Sequence, residues 1–319
     1  MTQSGQSSVD PRFWRPETIF FGIGAQKAGT SWLASYLRSH PEVCSPIWKE
    51  QNYWNVVDGA GSPGTVLEAR AAKRKKLGPI LSWLRDVGTT DTARRNRGAG
   101  RAIRASRNAG PPHREYADSL FLDVNWQHCR SAGEISPSYA FLSSRTFAEM
   151  ASISEKSRFI FLLRDPVDRF FSGLRHEIAR SGVATDARQK VFDDQIAADL
   201  EAGTKSVAAR LSRYDMTMAE LEAVVSVDQI HYAFFEDLFD QREVDRICDF
   251  LEVRRHPSQP QEKVNGGTIE GFMVSEDQRR RVAHLLAPCY RMIRERFADK
   301  VPQKWSVSER LSQEAAANA

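Results

Sequence analysis

The chain has 319 residues, 41% of them hydrophobic and 27% charged, with a formal net charge of +4. That is roughly two domain-lengths, but α/β domains often run this long as one unit, and the composition excludes global disorder. No apolar run approaches the roughly 18 residues of a bilayer span, and the N-terminus has neither the basic nor the apolar region of a signal peptide, so a cytoplasmic protein is expected.

The charge is unevenly placed. Residues 70–107 carry twelve Lys/Arg against Asp86 and Asp91, which leaves the rest of the chain net acidic. Such a stretch attracts anionic partners or forms a solvated insertion. Its arginines lack interleaved aromatics apart from Trp83, so base-stacking platforms are scarce and nucleic-acid binding ranks below a substrate lid. Cys44, Cys129, Cys248 and Cys289 form no CxxC pair. Zinc and redox motifs therefore have little support, and buried free thiols are expected.

In chain order, residues 1–16 read as a polar arm and residues 17–319 as a single domain. Thr18-Ile19-Phe20-Phe21-Gly22-Ile23-Gly24 is a short apolar, β-prone run, read as a buried strand. Residues 29–39 carry Trp32, Leu33, Tyr36 and Leu37 at helical spacing, and His40-Pro41 stops that helix. Residues 58–115, rich in glycine, arginine and alanine, read as an insertion or lid with one short helix over 77–84. Residues 158–163 give the second strong strand. It runs into Asp165-Pro166, an N-cap followed by proline at the first helical position. Val167, Phe170, Phe171, Leu174 and Ile178 mark the buried face of the helix that follows, and Gly182 stops it. Residues 229–234 read as a third strand, followed by a helix from about Asp240. Ser275-x-x-Gln278 caps a long final helix burying Val282, Leu285, Leu286, Cys289, Ile293 and Phe297. Strands alternating with helices predict an α/β fold with a P-loop-like central parallel β-sheet flanked by helices.

The loop between the first strand and helix carries the chemistry. An unpaired helix N-terminus after a glycine turn offers N–H groups and a favourable dipole to an anion. Gly24 and Gly29 keep the spacing of the Walker pattern GxxxxGK[ST], but Thr30 stands where its lysine belongs and the lysine lies inside the loop, at Lys27. A kinase lysine after the second glycine reaches β- and γ-phosphates. A lysine within the loop lies nearer a single phosphate and its bridging oxygen. A P-loop kinase is therefore the runner-up enzyme class. By spacing alone an ordinary βα turn with incidental glycines also fits.

The string Gly24-Ala25-Gln26-Lys27-Ala28-Gly29-Thr30-Ser31-Trp32-Leu33 resembles the 5′-phosphosulfate loop of sulfotransferases that use 3′-phosphoadenosine 5′-phosphosulfate (PAPS). It looks closest to the Golgi heparan-sulfate type and its bacterial relatives. Residues 158–173, with Arg164-Asp165-Pro166-Val167-Asp168-Arg169 and then Ser172, are similar to that family's 3′-phosphate segment. Pro46-Ile47-Trp48-Lys49-Glu50-Gln51-Asn52-Tyr53-Trp54 looks like its K-E-x-x-[FY]-[FW] segment. Gly133-Glu134-Ile135-Ser136-Pro137-Ser138-Tyr139 resembles its G-E-K-[ST]-P-x-Y turn, with isoleucine in place of the lysine. Phe235-Glu236-Asp237-Leu238 and Lys263-Val264-Asn265 match more weakly. The resemblance covers roughly residues 18–56 and 120–300; the basic insertion has no counterpart.

The resemblance implies PAPS as co-substrate, leaving as adenosine 3′,5′-bisphosphate, and no metal. Lys27 would neutralise charge on the bridging oxygen. The backbone of Ala28, Gly29, Thr30, Ser31 and Trp32, with the two hydroxyls, would hold the 5′-phosphate. Arg164 would clamp the 3′-phosphate with help from Ser172, although a strand-end salt bridge to Asp165 or Asp168 would also suit Arg164. Glu50 would be the general base, raised by partial burial under Trp48, Tyr53 and Trp54. Lys49 would assist at the leaving side, and His176 is a lesser candidate base. The acceptor would be a hydroxyl or amine, with a carbohydrate or anionic glycan suiting the basic segment.

Overall fold

The computed structural model describes residues 9–46, 49–59, 100–102, 104–105, 107–122, 124–258 and 272–314. Most of the basic insertion, the 77–84 helix, Ile47, Trp48 and the Lys263-Val264-Asn265 match lie outside the described residues.

Five parallel strands form one sheet in the order β2-β3-β1-β4-β5. They are β1 (Thr18–Gly24), β2 (Val43–Cys44), β3 (Ser131–Ile135), β4 (Ser157–Leu163) and β5 (Ile230–Phe234). Central β1 is buried along its whole length. That is expected of a parallel strand covered on both faces, and it explains why its sequence is an unbroken apolar run. Ile19, Phe20, Phe21 and Ile23 are all 0% exposed, each contributing roughly 2 kcal/mol by burial.

The helices are α1 (Thr30–Ser39), α2 (Tyr53–Val57), α3 (Arg114–Leu120), α4 (Ser144–Ser152), α5 (Pro166–Ser181) and α6 (Arg188–Ala202). After them come α7 (Val207–Arg210), α8 (Tyr214–Glu222), α9 (Gln241–Phe250), α10 (Glu276–Leu285), α11 (Ala287–Phe297) and α12 (Ser306–Glu314). Four expected stops and starts hold. α1 ends at His40, Asp165 caps α5 by accepting from the Asp168 N–H, and left-handed Gly182 ends it. Ser275 and Gln278 form the reciprocal capping box at α10. The long final helix does not hold. It breaks after Leu285, because Pro288 has no N–H for the ladder and its ring crowds the carbonyl four residues earlier.

The described part of the expected arm packs onto the domain. Phe13 is fully buried against Tyr116 and Phe121, and Arg12 bridges Asp10 and Asp118. The expectation of four free thiols is also corrected: Cys44 and Cys129 form a disulfide with Cα atoms 5.6 Å apart. The register pairs Cys44 with Ala132 on the adjacent strand, which brings Cys129 alongside despite the sequence distance. Cys248 and Cys289 are free and buried. No helix among the described residues is long and apolar enough to cross a membrane.

The tightest approach in the sheet is at Gly133, where an added Cβ would lie 2.0 Å from the Phe20 carbonyl oxygen on β1. Neither backbone can yield without breaking the β1–β3 ladder. Gly133→Ala should therefore cost about 3 kcal/mol of stability, read as a lower midpoint in chemical denaturation; an unchanged midpoint would contradict this packing.

Candidate active site at the carboxyl edge of the sheet

All five strands are parallel, so their carboxyl ends open on one edge, the place where open α/β sheets bind ligands. Each strand delivers part of the site there. β1 ends in the Lys27 loop, β2 leads to Lys49-Glu50, β3 to Ser136, β4 to Arg164 and β5 to Phe235-Glu236-Asp237-Leu238.

The loop after β1 turns through two left-handed residues, Lys27 (φ 72) and Gly29 (φ 87). Lysine rarely adopts this conformation, and such strain concentrates at functional sites. Glycine is required at 29, because a Cβ there would lie 2.5 Å from Leu238 and 3.2 Å from Phe235. The weak match at 235–238 is thereby explained: its side chains cradle the loop. Glu236 faces away and accepts from Trp305 Nε1 at 3.0 Å.

Five N–H groups were expected to face a phosphate. Ala28 N–H donates to the Ala25 carbonyl at 3.1 Å and Trp32 N–H to the Gly29 carbonyl at 2.9 Å. Those of Gly29, Thr30 and Ser31 have no hydrogen bond among the described residues. The first turn of α5 is different: Asp165 Oδ1 takes the Asp168 N–H and Tyr290 Oη takes the Val167 N–H. Of these two helix starts, α1 is the open one.

Lys49 reaches the same turn, its Nζ 3.0 Å from Ser31 Oγ and 3.4 Å from Thr30 Oγ1, while Glu50 Oε1 lies 3.2 Å from that Nζ. Lys27 is held below its ordinary pKa by burial first, then by the positive charges of Arg164, Lys49 and Arg169. Burial likewise lowers Lys49, opposed by Glu50. These clustered cations make the loop a strong attractor for an anion that would restore their charge balance.

Arg164 Nη1 donates to the Lys27 carbonyl at 3.0 Å, and its guanidinium lies over the Phe235 ring with the centroid at 5.0 Å. The alternative salt bridge does not form, since Asp168 pairs with Arg279 and Asp165 accepts from Tyr290. Ser172 is half-buried on α5 and its hydroxyl makes no hydrogen bond among the described residues. Arg169, the motif's second arginine, turns inward. It is 0% exposed, burial pulls it down to about 10, and it donates from Nη2 to the Ala208 carbonyl at 2.9 Å.

Glu50 is half-exposed, and Trp48 lies outside the described residues. Tyr53 and Trp54 are consumed by a core cluster in which Tyr53 stacks on Tyr116 at 4.4 Å. His176 is kept below its ordinary value by burial, Lys27 and Arg180, with Glu50 opposing. That shift favours the neutral imidazole, which lies within the field of Lys27 and Glu50. Ile135 stands where the resemblance has lysine. Its side chain is buried against Gly22 and contributes packing.

The Sulfotransferase family model matches residues 20–257. Among solved structures, a sulfotransferase from Alicyclobacillus acidocaldarius is 20% identical, with 91% of this chain and 98% of that chain covered and a TM-score of 0.58. The sulfotransferase domain of the Synechococcus PCC 7002 olefin synthase is 16% identical over 99% and 98%, with a TM-score of 0.46. The sulfotransferase domain of the curacin biosynthetic pathway is 14% identical over 94% and 98%, with a TM-score of 0.44. The first of these likenesses supports the fold. No curated protein matches the sequence.

If the open first turn of α1 is the anion site, Gly29→Ala should weaken binding of adenosine 3′,5′-bisphosphate at least about tenfold, since strain and a clash both fall on that turn. Isothermal titration reads this directly, and unchanged affinity would move the site elsewhere.

Proposed function

The chain belongs to the sulfotransferase family, and from that premise we propose that it moves a sulfuryl group from PAPS to a hydroxyl or amine of an anionic or carbohydrate acceptor. The observation that carries this reading is the meeting of Arg164 with the Lys27 loop at 3.0 Å. Two phosphate-binding elements, one after β1 and one after β4, share a cleft. A donor phosphorylated at both the 5′ and 3′ positions needs both; a nucleoside triphosphate needs one.

In this reading the free N–H groups of Gly29, Thr30 and Ser31 hold the 5′-phosphate, with the Thr30 and Ser31 hydroxyls beside them. Ala28 and Trp32 shape the turn and cover it. Arg164 offers its remaining donors to the 3′-phosphate, and Ser172 adds a hydroxyl from α5. Transfer then needs three things. The acceptor oxygen or nitrogen attacks sulfur in line with the bridging oxygen. The sulfur–oxygen bond to the phosphate breaks, and that oxygen departs with the adenosine 3′,5′-bisphosphate. The acceptor's proton passes to a base. Charge grows on the departing oxygen, and preorganised cations there lower the barrier. Lys27 has that role and Lys49 supports it. Glu50 takes the proton; His176, favoured in its neutral form and in the same field, is the second candidate.

Incubation with sulfur-labelled PAPS and host extract, followed by mass identification of the labelled product, tests the activity and identifies the acceptor. Lys27→Ala should lower transfer by at least about 100-fold, in line with removal of a preorganised charge from a developing oxyanion. Near-normal rates would remove Lys27 from the mechanism.

A further inference from the structure

The end of β3 holds the most heavily satisfied carboxylate among the described residues. Glu134 is 1% exposed. Its Oε1 accepts from Tyr116 Oη at 3.1 Å and from Tyr139 Oη. Its Oε2 accepts from Ser136 Oγ at 2.7 Å and from the Gln51 N–H at 3.1 Å. All four acceptor positions of the carboxylate are used. A buried carboxylate costs several kcal/mol in desolvation, and partners of this number are what make it tolerable.

One of those four partners is the backbone beside Glu50. The N–H groups of three consecutive residues are taken by 134–136: Glu50 N donates to the Ile135 carbonyl at 3.3 Å, Gln51 N to Glu134, and Asn52 N to Ser136 Oγ at 3.1 Å. Glu50 (φ 61) and Asn52 (φ 54) are both left-handed, a conformation asparagine tolerates but glutamate rarely adopts. The strained turn therefore persists because β3's end over-determines it. Ser119 Oγ donates to Gln51 Oε1 at 2.6 Å and fixes the side chain between them.

We propose that Glu134 is the positioning residue of this site, its carboxylate fixing the left-handed turn that carries Lys49 and Glu50 toward the phosphate loop. The catalytic consequence rests on the reading of Glu50 as the base. The structural content does not, because it concerns three backbone amides. The sheet positions Lys27 and Arg164 directly through β1 and β4. β2 is only two residues long and ends at Cys44, so the Lys49-Glu50 segment has no strand of its own to fix it. Glu134 supplies that anchor from the neighbouring strand.

The test compares Glu134→Ala, Glu134→Gln and Glu50→Gln by amide hydrogen exchange, affinity for adenosine 3′,5′-bisphosphate, and release of labelled sulfate from PAPS to water. In Glu134→Ala the amides of residues 50–52 should exchange at least about tenfold faster while those of β1 keep their protection. Bisphosphate affinity should stay unchanged, and sulfate release should fall about 100-fold, the cost of misplacing a reacting group by about 1 Å. Glu134→Gln keeps the volume and one acceptor oxygen, and should recover most of both. Should Glu134→Ala fail to fold, Ser136→Ala removes the Asn52 acceptor and one of the four donors to Glu134, and should speed exchange most at Asn52. Unchanged protection at 50–52, or loss of protection throughout the sheet together, overturns the positioning role. Normal release from Glu50→Gln sinks the reading of Glu50 alone. Slow release from Glu50→Gln beside normal release and intact amides in Glu134→Ala sinks the positioning role alone.

Discussion

Three backbone N–H groups at the start of α1, those of Gly29, Thr30 and Ser31, have no acceptor among the described residues, and the rest of the site is arranged around that deficit. A helix start left unsatisfied inside a folded domain is costly unless water or a ligand completes it. Here the left-handed Lys27 and Gly29 bend the chain so that the turn faces the open edge of the sheet. Leu238 and Phe235 then press on Gly29 closely enough to exclude any side chain. The same edge gathers Lys27, Lys49 and Arg164. Burial lowers both lysines, with Arg164 and Lys49 adding repulsion at Lys27 and Glu50 opposing the shift at Lys49. The fully buried β1 and the almost fully buried β4 form the core beneath this charge.

The parallel sheet turns this local device into a cleft. Because every strand points the same way, a loop after β1 and a residue after β4 become neighbours, although 137 positions separate Arg164 from Lys27. The Lys49-Glu50 segment is built by different means. Lys49 and Glu50 follow a two-residue strand and are tied down from β3 through Glu134, Ile135 and Ser136. The Lys27–Arg164 half is thus set by the sheet, the Lys49-Glu50 half by a buried hydrogen-bond network. Substitutions in the two halves should accordingly affect donor affinity and turnover differently.

Much of this was legible in the residues. Apolar runs at 18–24 and 158–163 and the Asp165-Pro166 start encode their elements locally, through burial on both faces and through proline's fixed φ. Lys27, Thr30, Ser31, Lys49, Glu50 and Arg164 could be singled out as candidates because their motifs follow strands, and the fold brings them to one edge of the sheet. β2 and β3 were not legible as strands: two residues carry no periodicity, and Ser131–Ile135 reads as a turn motif because its burial comes from neighbours. The Cys44–Cys129 pair depends on the register of those same strands and is invisible without it. The break at Pro288 was signalled and overlooked, since the apolar spacing of 282–297 continues across it. Arg169 shows the opposite limit. Nothing in its motif position marks it as a core residue, yet tertiary packing buries it completely.

The central claim is that the cleft takes a nucleotide phosphorylated at its 5′ and 3′ positions and has no use for a triphosphate. Isothermal titration of the purified chain with adenosine 3′,5′-bisphosphate and with ATP, each with and without Mg²⁺, tests it most directly. The account predicts tight bisphosphate binding that Mg²⁺ does not alter, and weak ATP binding. Stronger ATP binding that requires Mg²⁺ would contradict it.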